Sequence, residues 1–357
     1  MGGPLVCSSD EVQTWLTPRV ESAAWIHELM AAWPQTTTLE TNVKGRKHTF
    51  TQEIDGDLYN IHFDPNRIRE ALAFKPRPGD VIQMSYASSG TRWIQQIIQL
   101  IVYKGYSATS FDEFWERLVL LEHSGKQADA FASTPRLIMT HIRPGKLADV
   151  PEAKYVYVAR NPWDVCCSLY DYVVKVVERA DRVPFEDYLS LFLDGRVATG
   201  RYFEHVNAGY LRRNEPNFFF VTYEEMQKDC GNVLLRLADF LDGDYGESLR
   251  RDPKLLRELI EKCSAPYMSS LFGIPKETFT ELLFRNPNIS RHTASRRTED
   301  MEDTVAIVRR AKIGSWKVAF SKVALKLTLE KINSDPQGEF VRELWKDIYD
   351  EVLSFSQ

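Results

Sequence analysis

The sequence predicts an α/β fold in which a mainly parallel central sheet is flanked by helices. Short β-competent runs alternate along the chain with longer stretches of helical periodicity, which is the order that a parallel sheet requires. In addition, residues 80–104 form a strand-turn-helix unit whose turn contains serine, threonine and glycine. A turn of this kind presents backbone N–H groups at the start of a helix, where they favour an anion. We therefore predict a P-loop-like phosphate site within this fold.

Length and composition describe an ordinary globular chain. Its 357 residues are 43% hydrophobic and 27% charged, which suffices for one large core or two modest ones. The net charge of −5 argues against nucleic acid as the main partner, because nucleic-acid-binding domains usually carry a basic surplus. Neither a membrane-spanning apolar run nor a signal-peptide pattern is found, so we predict a cytoplasmic protein that does not bind membranes. The five scattered cysteines predict free thiols, and we predict no metal site.

Residues 1–50 are predicted to be an N-terminal extension, and residues 51–357 a single domain. Within the extension, apolar residues recur at helical spacing over 9–33, and a polar loop or linker follows over 36–52. Residues 53–63 then alternate as a short hairpin does, with Asp55-Gly56 as the turn signal.

The strand-turn-helix unit begins with a short buried strand, Val81 to Met84, and continues into a helix whose apolar positions run from Trp93 to Val102. Two interpretations remain open for the turn between them: a phosphate site, or a turn that only changes the direction of the chain. A nucleoside-triphosphate P-loop is excluded because no lysine follows Gly90, and this also argues against a P-loop kinase.

Later segments complete the predicted sheet. Residues 111–122 predict a helix or a segment that covers a pocket. Further strands are predicted over 136–140, 154–159 and 217–222, and helices over 164–177, 203–212, 224–240 and 253–262. Because the carboxyl ends of parallel strands meet at one edge of a sheet, the polar residues that follow each strand predict one shared site.

Four motifs, in this order along the chain, resemble those of the cytosolic sulfotransferases. They are Tyr86-Ala-Ser-Ser-Gly-Thr-Arg-Trp93, Thr134-Pro-Arg-Leu-Ile-Met-Thr-His141, Tyr157-Val-Ala-Arg-Asn-Pro-Trp-Asp-Val-Cys-Cys-Ser168 and Val308-Arg-Arg-Ala-Lys-Ile-Gly-Ser-Trp-Lys317. The resemblance extends over about residues 52–350. It implies that the donor is 3′-phosphoadenosine 5′-phosphosulfate (PAPS), that the product is the desulfated nucleotide PAP, and that no metal is required.

The resemblance also implies which residues bind the nucleotide. The turn would hold the 5′-phosphate through Ser88, Ser89, Gly90, Thr91 and Arg92. The 3′-phosphate would lie among Arg160, Ser168, Arg309, Arg310 and Ala311. Adenine would contact Trp93, Tyr223, Ser264 and Met268. Arginine suits phosphate because its planar fork donates two hydrogen bonds at once.

His141 is the predicted catalytic base. An acceptor hydroxyl must lose a proton as it attacks sulfur, and an imidazole, with a reference pKa near 6.5, accepts that proton at neutral pH. The alternative for a single histidine is a hydrogen-bonded structural role. His141 and Tyr170 are predicted to line the acceptor pocket with residues from 111–121 and 267–284, whereas His205 is interpreted as a helix-face residue.

The chain departs from the family pattern at two lysines, which are replaced by Ser88 and Met139. Arg92 is the predicted substitute, and Arg143 is a second candidate whose alternative is a solvated loop residue. Two functions follow. The first is transfer of a sulfuryl group from PAPS to the hydroxyl or amine of a small apolar acceptor, which could be a phenol, a catecholamine-like amine or a sterol. The second is a weakly active or inactive relative that binds PAPS or PAP. We expect a monomer or a weak homodimer.

Overall fold

The computed structural model of the protein describes residues 41–43, 46–48, 51–60, 63–172, 183–197, 199–275, 304–306 and 312–357. The helix predicted over 9–33 and the predicted 3′-phosphate ligands Arg309, Arg310 and Ala311 lie outside the described residues.

Two antiparallel strand pairs precede the main sheet. The first joins β1 (Thr41–Val43) to β2 (Arg46–His48), so the prediction of a loop over 36–52 is wrong there. Backbone hydrogen bonds form this pair, and they do not depend on polar or apolar side chains. The second pair, β3 (Thr51–Ile54) and β4 (Asp57–Asn60), confirms the predicted hairpin. Its turn residues Asp55 and Gly56 have φ of 52° and 85°, the left-handed values that a tight two-residue hairpin turn needs.

The predicted strand-turn-helix unit is confirmed, but the segment after it contains a strand that the sequence did not reveal. The elements here are α1 (Pro65–Leu72), β5 (Val81–Ser85), α2 (Thr91–Val102), α3 (Phe111–Glu116), β6 (Val119–Leu120), α4 (Leu121–Ser124) and β7 (Leu137–Thr140). The strand β6 has two residues and, among the described strands, pairs with β7 alone, so its formation depends on a tertiary neighbour and not on a local pattern.

The middle of the chain supplies the other two strands of the main sheet. Its elements are β8 (Lys154–Ala159), α5 (Pro162–Tyr172), α6 (Phe185–Leu193), α7 (Tyr202–Leu211), β9 (Phe218–Thr222), α8 (Tyr223–Lys228) and α9 (Cys230–Leu241). The single helix predicted over 224–240 is two helices, because Asp229 leaves the helical conformation and its carboxylate caps α9 by accepting a hydrogen bond from the Asn232 amide at 2.9 Å.

The C-terminal part is mainly helical. It contains α10 (Gly243–Arg251), α11 (Pro253–Lys262), α12 (Ala265–Leu271), β10 (Gly273–Pro275), β11 (Thr304–Ala306), α13 (Trp316–Ala319), α14 (Lys322–Ser334), α15 (Glu339–Leu344) and α16 (Lys346–Ser356). The helix predicted over 253–262 is confirmed as α11, and β10 pairs antiparallel with β11.

The main sheet has the strand order β6-β7-β5-β8-β9, and every neighbouring pair is parallel. After β5 the chain adds β7 on one side and β8 on the other. The carboxyl end of β5 is therefore the point at which the strand order changes direction, where open α/β sheets bind their ligands. The segments after β5, β7 and β8 all start at this edge.

Apolar side chains cover both faces of the sheet. Along β5, Ile82 packs into the core on one face and Val81 into the core on the other, as strand alternation requires. Within the described residues, no helix has both the length and the apolar character needed to cross a bilayer.

Candidate functional site

The turn after β5 has a backbone conformation that only glycine adopts easily at its last position. Gly90 has a φ of 103° and directly precedes α2. A Cβ atom at Gly90 would lie 2.9 Å from Cδ2 of Tyr223, so a larger residue would also collide with that ring. Ser88 has a left-handed φ of 64°. The turn thereby brings the N-terminus of the twelve-residue helix α2 to the carboxyl edge of the sheet.

Several side-chain donors around this turn have no hydrogen-bond partner among the described residues. They are the Ser89 hydroxyl, Nε of Arg92, Nε1 of Trp93 and Nε of Arg160. A buried donor without a partner costs about 1–3 kcal/mol. Four of them beside a helix N-terminus fit a ligand that is rich in hydrogen-bond acceptors, as a nucleotide phosphate is.

Arg160 connects the turn to the segment near the C-terminus. Its Nη1 donates to the Ser88 carbonyl at 3.4 Å and its Nη2 to the Lys312 carbonyl at 3.0 Å. Its guanidinium carbon lies 4.2 Å from the centroid of the Tyr223 ring, which meets Trp93 edge-on at 5.2 Å. Two aromatic rings and an arginine therefore lie on one side of the turn.

Asp164 anchors the same C-terminal segment. Its carboxylate is completely buried and accepts hydrogen bonds from the amides of Gly314 at 2.9 Å and Trp316 at 3.3 Å. Nδ2 of Asn161 also donates to it, at 3.0 Å. Because Asp164 lies in the first turn of α5, it fixes the residues after 311 next to Arg160.

His141 follows β7, and its orientation is fixed by backbone contacts. Its Nδ1 lies 2.9 Å from the Ser85 carbonyl oxygen, which can only accept a hydrogen bond. Nδ1 therefore carries a proton, and Nε2 is the acceptor in this tautomer. The His141 amide donates to the Glu122 carboxylate. Burial raises the pKa of Glu122, while the proximity of His141 acts in the opposite direction.

A second histidine lies directly behind His141. The Nε2 of His205 is 3.0 Å from the His141 carbonyl oxygen, and its Nδ1 is 2.8 Å from the Tyr157 hydroxyl. His205 is 1% exposed, and burial lowers its pKa to about 3, so this ring is neutral at physiological pH. It donates through Nε2 and accepts through Nδ1.

His141 and His205 line a cavity of about 410 Å³ between the β3-β4 hairpin, the loop before α7 and the start of α7. Four acidic side chains line it: Glu53, Asp57, Asp194 and Glu204. Four basic side chains also line it: Arg143, Lys146, Arg196 and Arg201.

Half of these charges pair with one another. Arg143 pairs with Glu204 and lies 3.8 Å from Asp57, which also contacts Lys146 at 2.6 Å. The buried Tyr59 lies beside them, and burial followed by the charge of Asp57 raises its pKa. Its hydroxyl therefore stays neutral at physiological pH.

Most of the chain matches the model of one known protein family. A model described as "Sulfotransferase domain" matches residues 78–334, well over half of the sequence. This chain belongs to the sulfotransferase family. The motif resemblance is thereby confirmed, and the sulfotransferase is a PAPS-dependent transferase.

Curated relatives of this sulfotransferase are themselves named as sulfotransferases. The amine sulfotransferase of Oryctolagus cuniculus is 29% identical over 287 residues, which cover 79% of this chain and 88% of that protein. Sulfotransferase 2B1 of Rattus norvegicus is 30% identical over 231 residues, which cover 60% of this chain and 67% of that protein.

Solved structures show the same fold. Mouse sulfotransferase SULT7A1 complexed with PAP superposes with a TM-score of 0.60 at 20% identity, over 86% of this chain and 99% of that chain. Retinol dehydratase in complex with androsterone and PAP superposes with a TM-score of 0.56 at 20% identity, over 79% and 88%. The predicted fold class is confirmed.

The structure brings most of the predicted nucleotide-binding residues of the sulfotransferase together around the turn after β5. The turn residues from Ser88 to Trp93 lie together with Arg160 and Tyr223. Thr91 is already hydrogen-bonded, because its hydroxyl lies 2.8 Å from that of Ser85. Ser168 is part of α5 and is partly exposed.

Other predicted residues make contacts that already explain their presence. Ser264 caps α12 by accepting a hydrogen bond from the Tyr267 amide, and Met268 is buried in the core. The Tyr170 hydroxyl donates to the Val183 carbonyl at 2.9 Å, and the Tyr170 ring packs on Phe185. Tyr170 does not line the cavity that the described residues form beside His141.

The two candidate arginines occupy different environments. Arg143 lines the cavity with His141 and is paired with carboxylates, so it is neither a solvated loop residue nor a free cation. Arg92 has no carboxylate partner among the described residues, and its guanidinium lies 5.9 Å from the Phe272 ring. Burial lowers its pKa.

Three residues of the site were missed by the sequence analysis: Glu122, Asp164 and His205. Glu122 follows four apolar residues, which is the one local signal that marked an unusual carboxylate. The prediction of His205 as a helix-face residue placed it on α7 correctly but did not foresee its contact with His141.

Proposed function

We propose that this sulfotransferase transfers a sulfuryl group from PAPS to the hydroxyl or amine of a small acceptor bound in the cavity beside His141. The observation that carries the proposal is the hydrogen bond between Nδ1 of His141 and the Ser85 carbonyl. It leaves Nε2 as the acceptor on a ring that lines the cavity. A base is thereby available next to a space of suitable size for a small acceptor.

The residues around the turn after β5 fit the donor nucleotide. When bound, PAPS supplies an activated sulfuryl group attached to its 5′-phosphate. The amides at the start of α2, the Ser89 hydroxyl and Arg92 would hold the 5′-phosphate. Arg160 would hold the 3′-phosphate, and Trp93 with Tyr223 the adenine, which accounts for their position on one side of the turn.

His141 would accept the acceptor proton at Nε2 as the acceptor attacks. The Ser85 carbonyl keeps Nδ1 protonated, so proton transfer produces an imidazolium whose second N–H remains hydrogen-bonded. Glu122 accepts a hydrogen bond from the His141 amide and so helps to hold the backbone of this residue. His205 holds the backbone of His141 at its carbonyl oxygen, which fixes the position of the ring.

Arg92 would stabilise the negative charge that develops on the donor phosphate. It is the cation near the turn without a carboxylate partner among the described residues, whereas the charge of Arg143 is offset by Glu204 and Asp57. Loss of one preorganised donor typically costs about 10²–10³ in rate. Ser88 and Met139 stand where the family pattern has two lysines. This favours a second candidate function, in which the protein binds PAPS or PAP but transfers little sulfuryl group.

One assay separates the two candidates. The purified full chain is incubated with PAPS and a panel of phenols, amines and sterols, PAP formation is followed, and PAP binding is measured by calorimetry. We expect acceptor-dependent PAP formation that is lost in His141→Ala while PAP affinity is retained. Tight PAP binding without transfer to any acceptor would instead support the nucleotide-binding relative.

A further inference from the structure

The cavity beside His141 carries charges that no other described residue neutralises. Glu53, Asp194, Arg196 and Arg201 all line it, all are exposed, and none has an oppositely charged partner within 4 Å among the described residues. By contrast, Arg143, Lys146, Asp57 and Glu204 pair with one another. Both signs are therefore present in the cavity without a partner.

Among the described residues that line the cavity, few side chains are hydrocarbon: Leu58 is aliphatic, and Tyr59 has a phenol ring whose hydroxyl is polar. The Thr199 hydroxyl also lines the cavity and is shielded from solvent without a hydrogen-bond partner among the described residues. Pockets for apolar ligands are lined mainly by hydrophobic side chains with few polar groups. The described side chains of this cavity therefore offer charged and polar groups to an acceptor as well as apolar contact.

We propose that the acceptor is zwitterionic: a small hydroxyl compound that carries both an anionic and a cationic group. This inference rests on the proposed function, since it describes the acceptor of the same site. Arg196 and Arg201 would bind the anionic group, because a guanidinium donates two parallel hydrogen bonds to a carboxylate. Glu53 and Asp194 would bind the cationic group. The hydroxyl would point to Nε2 of His141.

The presence of unpaired charges of both signs supports a zwitterion over a singly charged acceptor. Arg196, Arg201 and Asp194 lie between the end of α6 and the start of α7, and Glu53 lies on β3. An acceptor with one charge would use one of these groups and leave the other unmatched. An acceptor with both charges would match the two sets at once, and an uncharged acceptor would match neither.

The test is a matched set of four phenols that differ only in the charge of the side chain. They are 4-ethylphenol (neutral), tyramine (cation), 3-(4-hydroxyphenyl)propionate (anion) and tyrosine (zwitterion). PAP formation gives kcat/KM for each with the full-length protein. We expect tyrosine to exceed 4-ethylphenol by about tenfold or more, since its two charged groups form hydrogen bonds that 4-ethylphenol lacks. Each singly charged phenol should lie between them.

Variants assign the preference to the charged side chains. The double variant Arg196→Gln with Arg201→Gln should reduce the ratio of kcat/KM for 3-(4-hydroxyphenyl)propionate to that for 4-ethylphenol. The double variant Glu53→Gln with Asp194→Asn should reduce the ratio of kcat/KM for tyramine to that for 4-ethylphenol. Arg257→Gln, an exposed arginine on α11 that does not line the cavity, is the control and should leave both ratios unchanged.

The outcomes separate this inference from the proposed function. Similar kcat/KM for all four phenols, or a preference for one sign of charge alone, would overturn the zwitterionic acceptor and leave the sulfotransferase activity intact. No turnover of any of the four, with transfer to another acceptor of the panel, would overturn the zwitterionic acceptor alone. PAP binding without transfer to any acceptor of the whole panel would overturn the proposed function together with this inference.

Discussion

The Nδ1 atom of His141 lies 2.9 Å from the backbone carbonyl oxygen of Ser85, while the hydroxyl of the same Ser85 lies 2.8 Å from that of Thr91. One residue at the end of β5 therefore contacts the predicted base through its backbone and the phosphate turn through its side chain. Because these contacts use different atoms, substitution distinguishes them.

His141→Ala should lower kcat by about 10²–10⁴, the usual contribution of a positioned base, with PAP affinity unchanged. Ser85→Ala should weaken PAP binding, because it leaves the Thr91 hydroxyl without its partner, yet retain the pH dependence of kcat/KM, because the carbonyl that orients His141 remains. Calorimetry with PAP and pH profiles of both variants check this. An altered pH profile in Ser85→Ala would contradict the backbone role.

His205 is expected to position His141, because its Nε2 lies 3.0 Å from the His141 carbonyl oxygen. His205→Gln keeps a donor at about the place of Nε2, whereas His205→Ala removes it. We expect His205→Ala to lower kcat by about 10–10² with little change in PAP affinity, and His205→Gln to restore most of the loss. Equal losses in both variants would indicate a packing role alone.

The same histidine predicts a pH dependence of stability. Burial lowers the pKa of His205 to about 3, from an ordinary value near 6.5. Between these values the unfolded chain binds a proton that the folded chain does not, so this group makes the free energy of unfolding fall as the pH is lowered. The contribution is up to about 1.4 kcal/mol per pH unit from about pH 6.5 down to about 3. Denaturant unfolding of wild type and His205→Gln measures it: the variant should show a shallower loss of stability.

Gly90→Ala should impair nucleotide binding specifically. Its φ of 103° is strained for alanine, which costs about 1–3 kcal/mol, and its Cβ would lie 2.9 Å from the Tyr223 ring. Because Arg160 lies over that ring, a displaced Tyr223 should reduce PAP affinity by about tenfold or more. Gly145→Ala is the matched control: Gly145 has a φ of 86° with no atom within 4 Å of the added Cβ. Unfolding curves and PAP titrations should show destabilisation in both variants, but loss of affinity in Gly90→Ala alone.

The sequence was sufficient for the parts of the site that depend on local order. A buried strand that ends in small hydroxyl residues and glycine predicted the turn at Gly90, and strand alternation with helices predicted that His141 and Arg160 would reach the same edge. These features need only the strand ends and the parallel topology.

The remaining parts depend on contacts between distant segments. The bond between the His141 amide and Glu122 spans 19 residues, that between His205 and the His141 carbonyl 64, and that between the Gly314 amide and Asp164 150. No periodicity encodes such pairs. The charged character of the cavity was missed for the same reason, because the hairpin, the loop before α7 and the segment after β7 bring their charges together only in the folded chain.

Arg92 and Arg143 are expected to affect different kinetic constants. Both were predicted as substitutes for the missing lysines, but Arg143 is paired with Glu204, whereas Arg92 has no carboxylate partner among the described residues. Arg92→Gln should therefore lower kcat by about 10²–10³, because charge on the donor phosphate develops only as the reaction proceeds. Arg143→Gln should instead change KM for the acceptor, since it leaves Glu204 and Asp57 without a cation in the cavity. Steady-state kinetics with varied PAPS and varied acceptor separate the two effects.

A charge-reversal variant of the Arg143 pair extends this test. The double variant Arg143→Glu with Glu204→Arg exchanges the two charges of this pair. Its KM for the acceptor should therefore lie closer to the wild-type value than that of Arg143→Gln. No equivalent exchange exists for Arg92, because it has no carboxylate partner among the described residues. If both Arg92→Gln and Arg143→Gln left turnover unchanged, neither arginine would replace a lysine. The backbone amides at the start of α2 would then be the main source of positive potential at the donor phosphate. In that case Ser88→Lys, which adds a cation to the turn, should raise kcat to the same extent in the wild type and in Arg92→Gln.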